Sequence, residues 1–126
     1  MKHPFSDEFG EPPALVLDVR VIAPGTDRGL TLKGKLDTAA DVSAVPIQVI
    51  NRIRALKFGN RNLTVTGLGR MRVTSYEVEI EIAGQRLWAT AVGLDKPYVL
   101  LGRDILNQLH FTVDGPNEEF WFHPRQ

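Results

Sequence analysis

The sequence predicts a mostly β domain with one or two short helices, and three features carry that prediction. Short runs rich in Val, Ile and Leu recur along the chain, several alternating apolar and polar residues as a half-buried strand does. Turn chemistry separates these runs at Pro24-Gly25-Thr26-Asp27, Gly67-Leu68-Gly69-Arg70, Gly84-Gln85 and Asp114-Gly115. Helical spacing of apolar residues occurs in two stretches, both short. Many short strands with few helices belong to the mostly β architectures.

Residues 14–23 (ALVLDVRVIA) open the order as a strand. In its second half Val19 and Val21 alternate with Asp18, Arg20 and Ile22, which predicts one buried face. After the turn, residues 29–36 place Leu30, Leu32, Gly34 and Leu36 on one parity and Thr31, Lys33 and Lys35 on the other, so the two strands make a hairpin running into Asp37. A short apolar strand over 42–45 follows, and Pro46 suits the first turn of a helix, where a missing N–H costs nothing. Ile47, Ile50, Ile53 and Leu56 continue at near-helical spacing and predict a helix of about two to three turns over 46–56, ended by Phe58-Gly59-Asn60. Next comes a long hairpin with arms over 62–66 and 71–83. Its tip is pliable, because Gly67 and Gly69 reach backbone angles closed to other residues. Residues 86–92 form another strand and 98–101 a short, buried one. Ile105, Leu106 and Leu109 share one face of a helix over 103–109, and residues 111–113 and 119–122 form a last hairpin.

The chain of 126 residues is sized for a single core, which we divide into an N-terminal extension, 1–13, and a domain over 14–126. Fifteen basic residues balance fifteen acidic ones, which argues against nucleic acid or an anionic membrane surface as the main partner. Arg52, Arg54, Lys57 and Arg61 form a local basic cluster that reads as the solvated face and exit of the first helix. A small β-barrel nucleic-acid binder rests on that cluster alone. The absence of cysteine removes disulfide scaffolds, thiolate zinc sites and cysteine nucleophiles together. His3, His110 and His123 lack metal-ligand spacing, so neither a metal nor a cofactor is expected. Residues 1–13 are polar and proline-bearing, read as neither a secretory signal nor a membrane span, and a cytoplasmic location is the expectation.

The chemistry concentrates in Leu36-Asp37-Thr38-Ala39-Ala40-Asp41, an acid at the end of an apolar strand followed by a hydroxyl and two small residues. This segment resembles the Asp-Thr/Ser-Gly-Ala/Ser motif of pepsin-like and retroviral aspartic proteases. Downstream, Val99-Leu100-Leu101-Gly102-Arg103-Asp104-Ile105-Leu106 is similar to the apolar-apolar-Gly-Arg-Asp/Asn-hydrophobic signature before the family's C-terminal helix. Between them the glycine-tipped hairpin looks like the family's flap. Three elements in the family's order cover residues 15–122, and the chain resembles a single-domain, cellular or bacterial-type retropepsin-like aspartic protease.

That resemblance implies an acid-protease barrel with a flap hairpin, one lobe per chain, and Asp37 as the catalytic residue. Amide hydrolysis without metal or covalent nucleophile needs one group to take a proton from water and another to give one, and two facing carboxylates do both. Only Asp37 matches the motif, so the second carboxylate is expected from another copy of the chain: a homodimer acting on a peptide or protein substrate. Thr38, Ala39, Ala40, Asp41 and Arg103 are implied as loop and support residues, with Thr38 in a cross-dimer hydrogen-bond network and Asp41 and Arg103 in a partly buried ion pair. Gly67, Leu68 and Gly69 are implied flap contacts to substrate, and Gly102 and Asp104 belong to the signature before the last helix. Asp104 reads as that helix's cap. Leu68, Val92 and Leu101 are expected to line pockets for apolar side chains. Ala39 stands where the family has glycine, which motivates a second reading: a non-catalytic, dimeric peptide-binding or interaction module of the same fold.

Overall fold

A computed structural model describes residues 1–65 and 67–124. Ten strands and two short helices follow in the order β1 (Lys2–Pro4), β2 (Val16–Ile22), β3 (Gly29–Leu36), β4 (Ala44–Pro46), α1 (Ile47–Ile53), β5 (Lys57–Val65), β6 (Gly69–Ile82), β7 (Gln85–Leu94), β8 (Val99–Leu101), α2 (Arg103–Leu106), β9 (Phe111–Asp114) and β10 (Glu119–Phe122). Neither helix is long or apolar enough to cross a membrane.

Seven strands form one sheet in the order β2-β3-β8-β4-β7-β6-β5, and a further pairing of β2 with β6 closes six of them into a barrel with β5 outside. Most neighbours are antiparallel, but β3–β8 and β4–β7 are parallel. The β3–β8 pairing is what matters for chemistry, since it sets the chain leaving β3 at Asp37 beside the chain leaving β8 at Gly102. Val19, Val21, Val78, Ile80, Val99 and Leu101 fill the barrel, and Ile105 of α2 plugs it. Ile22, expected on the polar face of β2, is fully buried, in the stretch where β2 is paired along both edges, with β3 and with β6.

The first helix is shorter than its apolar spacing predicts. It stops at Arg54, whose backbone is left-handed (φ 56°, ψ 47°) and donates its N–H to the Asn51 and Ile50 carbonyls. Strand β5 therefore begins at Lys57, before the Phe58-Gly59-Asn60 stop expected from sequence, and Leu56 is exposed instead of packed, as is Phe58 beside it. The left-handed turn redirects the chain so that Leu56 O accepts the Glu77 N–H of β6. The arm expected over 62–66 is thus longer at its start, and Thr66 lies outside the described residues. Helix α2 is one turn, and residues 107–109 continue as a tighter turn.

A second, three-stranded sheet orders β1-β10-β9. Its members include Lys2–Pro4, from the stretch read as an extension, hydrogen-bonded to the expected final hairpin. Phe120 projects from this sheet into the core, fully buried, and His3 and Phe5 pack on its ring.

Candidate active site

Asp37 leaves the last residue of β3 with its N–H donated to Leu101 O at 2.9 Å, so the parallel pairing of β3 with β8 extends one residue past the strand. The chain then turns back, with Ala40 N–H donating to Asp37 O at 3.2 Å and Ala39 N–H donating to Asp37 Oδ1 at 3.0 Å. That second bond orients the carboxylate. Asp37 is half-buried, while Thr38, Ala39 and Asp41 are exposed.

Arg103 fastens the loop from the other side. Its backbone N–H donates to Ala40 O at 2.9 Å, its Nη1 donates to Thr38 O at 2.9 Å, and its Nη2 pairs with the Asp41 carboxylate. One side chain thereby grips both ends of the turn that carries Asp37. The pair with Asp41 is exposed in the single chain, with 44% of the Arg103 side chain and 75% of the Asp41 side chain accessible, in place of the partial burial expected from sequence.

Gly102 explains why the signature needs glycine. A methyl group there would lie 2.6 Å from the Val42 carbonyl carbon and oxygen and 3.0 Å from Ala40 O, all backbone atoms that cannot swing aside. The two loops meet backbone to backbone. Ala39 is a different case: its φ is not in the left-handed region and its side chain is exposed, so alanine fits this turn without backbone strain.

Asp104 does not cap α2; Gly102 occupies the N-cap position, without a side-chain cap bond. Its carboxylate accepts the Ser43 N–H (3.0 Å), the Ser43 hydroxyl (2.7 Å) and the Ile105 N–H (2.8 Å). Ser43, fully buried, accepts the Gly102 N–H at 3.0 Å through the same hydroxyl. The Ser43–Asp104 clamp joins the two signature segments beneath the Asp37 loop, and the sequence reading missed it. The available signal was the lone serine within the apolar 42–45 run, where an apolar residue would suit a buried strand better.

Between the two signatures, β5 and β6 pair in register from Gly59↔Ser75 to Val65↔Gly69, so the expected hairpin is present. Gly67 and Gly69 have positive φ (82° and 74°), as a tight tip requires, and Leu68 between them is 69% exposed. Of the other expected pocket residues, Val92 and Leu101 are buried in the core. Alternation along β8 decides it: Val99 and Leu101 face inward, and the residue turned outward is Leu100.

No family model matches the chain. Among solved structures it is similar to the EIAV protease complexed with the inhibitor HBY-793, at 24% identity and a TM-score of 0.62 over 79% of this chain and 91% of that one. It is similar also to the simian foamy virus (mac) protease in solution, at 16% identity and a TM-score of 0.53 over 72% of this chain and 92% of that one. A foamy viral protease-reverse transcriptase bound to an RNA/DNA hybrid matches at 14% identity and a TM-score of 0.56, over 88% of this chain and 13% of the other. The chain has a mostly β, retropepsin-like fold, the fold of these retroviral proteases.

Proposed function

We infer that the chain is an aspartic-type endopeptidase of the single-domain, cellular or bacterial kind, working as a homodimer in which each copy supplies one Asp37. The observation that carries this reading is the held turn: a half-buried carboxylate at the end of β3, oriented by the Ala39 N–H and braced through Thr38, Ala40 and Asp41 by Arg103. A lone carboxylate could serve as acid or as base, and peptide hydrolysis needs both at once. Two such loops facing across a two-fold axis bring the Asp37 carboxylates within about 3 Å, where they share one proton because both cannot ionise comfortably. The ionised member takes a proton from water as its oxygen attacks the peptide carbonyl. The protonated member donates to the carbonyl oxygen, and a proton then passes to the leaving nitrogen as the C–N bond breaks. The flap with Gly67, Leu68 and Gly69 closes over the peptide. Ala39 sits in its turn without backbone strain, so the alanine is compatible with this reading, and cleavage is what separates it from the non-catalytic alternative.

The test is cleavage of a denatured protein pool between about pH 4 and 7, the range in which a proton-sharing dyad titrates. The unaltered chain cleaves, and Asp37→Asn loses at least about a hundredfold in rate while keeping its circular dichroism spectrum. Equal product from both would remove the enzyme reading and leave the dimeric binding module.

A further inference from the structure

The geometry points to Lys35 as a specificity-determining residue that receives a carboxylate side chain of the peptide beside the scissile bond, making acidic segments the preferred substrate class. This rests on the protease reading of Asp37 and adds the substrate to it.

Side chains alternate along a strand, so Lys35 shares its side of β3 with Asp37 two residues on, while Gly34 and Leu36 face the core. Gly34 is packed against Val19 and Leu101, which confirms the parity. The register sets Lys35 opposite Leu100, the outward residue of β8, and Tyr98 two residues earlier lies on that side too. The Lys35 ammonium sits 5.7 Å from the centre of the Tyr98 ring, whose position is fixed in turn by Phe9 at a centroid distance of 4.6 Å.

Two polar residues on the same face of β3 show the contrast. Lys33 is neutralised by Asp18 at 2.9 Å, whereas Lys35 makes no ion pair among the described residues and is half-buried. A ring face steadies a cation without cancelling its charge, so the ammonium remains available to a ligand carboxylate. Lys35 is therefore an unpaired cation among the described residues, on the Asp37 side of β3.

The flap adds a second observation of the same sign. Residues 57–73 contain Lys57, Arg61, Arg70 and Arg72 and no acid, so the hairpin is uniformly positive. Pairing through this arm of β6 is regular, and Arg70 and Arg72 have the parity of Tyr76, Val78 and Ile80, which face the core. With the hairpin closed over the Asp37 loop, as the protease reading has it, positive groups on both sides of a bound peptide would favour acidic peptides over basic ones in both encounter and fit. In a two-fold dimer one Lys35 would stand on each side of the scissile bond.

The test uses two statine-containing hexapeptides that differ only in having Glu or Gln at the two residues flanking the statine. Titrated into the full chain by calorimetry, the Glu peptide binds at least about tenfold more tightly, a difference that shrinks at high salt. Lys35→Met reduces the difference to within about twofold, Lys35→Gln does the same on a second stem, and Lys35→Glu reverses it. Equal affinities in the unaltered chain, a Glu preference that survives Lys35→Met and Lys35→Gln, or no binding of either peptide overturns the assignment. Matched cleavable peptides are assayed in parallel with Asp37→Asn as control. Lys35-dependent binding without Asp37-dependent cleavage keeps this subsite and removes only the catalytic reading.

Discussion

Ser43 and Arg103 both tie the Asp37 loop to the start of α2, yet burial makes their energetic weights differ. Ser43→Ala leaves a buried Gly102 N–H without its acceptor and Asp104 Oδ1 with the Ile105 N–H alone, a change that costs about 1–3 kcal/mol. Arg103→Ala breaks an exposed pair with Asp41, worth about 0–1 kcal/mol, and one bond to Thr38 O, so its stability loss stays near 1–2 kcal/mol. Its larger effect falls on cleavage, because the turn carrying Asp37 loses its brace, and a displacement of about 1 Å in a catalytic group can cost roughly a hundredfold. Urea unfolding and steady-state cleavage of both variants check this ordering; an Arg103→Ala loss beyond about 3 kcal/mol would mean the pair is buried in the working assembly. At this scale the motif residues Asp37 to Asp41 and Gly102 to Asp104 were legible because their types and spacing are chemical. The three-way bond of Asp104 was not, since an acid in a first helical turn reads equally as a cap.

Among the elements, strands with one buried face were read from alternation, and β3 matches its expected bounds. Helix α1 was overrun because Leu56 continues the apolar period, and periodicity does not report where a backbone turns left-handed at Arg54. Strand β1 was not anticipated: three residues, the last a proline, carry no strand period, and pairing with β10 supplies the order. Its docking makes a pH prediction. Burial against Phe120, helped by the positive N-terminus, lowers the His3 pKa below its ordinary 6.5. The folded chain therefore favours neutral imidazole, the unfolded chain binds the proton more readily, and stability present above pH 6.5 declines as pH falls below it. Thermal midpoints across that range should fall more for the unaltered chain than for His3→Gln. Parallel profiles would place His3 outside the linkage.

For the whole molecule, the fold was readable because two short signatures and a glycine-tipped hairpin lie in a fixed order, and the barrel brings the signatures together through the β3–β8 pairing. Assembly was not readable in that way. It follows from a count, one motif carboxylate per chain where the chemistry uses two. The proposed homodimer would unite the exposed Thr38 and Ala39 with their counterparts across a two-fold axis, which leaves the exposure of this loop in a single chain without conflict.

A mixing experiment tests the shared site most directly. A fixed amount of unaltered chain, well above the dimer dissociation constant, is equilibrated with an equal amount of Asp37→Asn and assayed for peptide cleavage. If each active site draws one carboxylate from each copy, half of the unaltered chains are trapped in inactive mixed dimers and the rate falls to about half. A rate that does not change on mixing would show that every chain cleaves with its own residues, and would contradict the account.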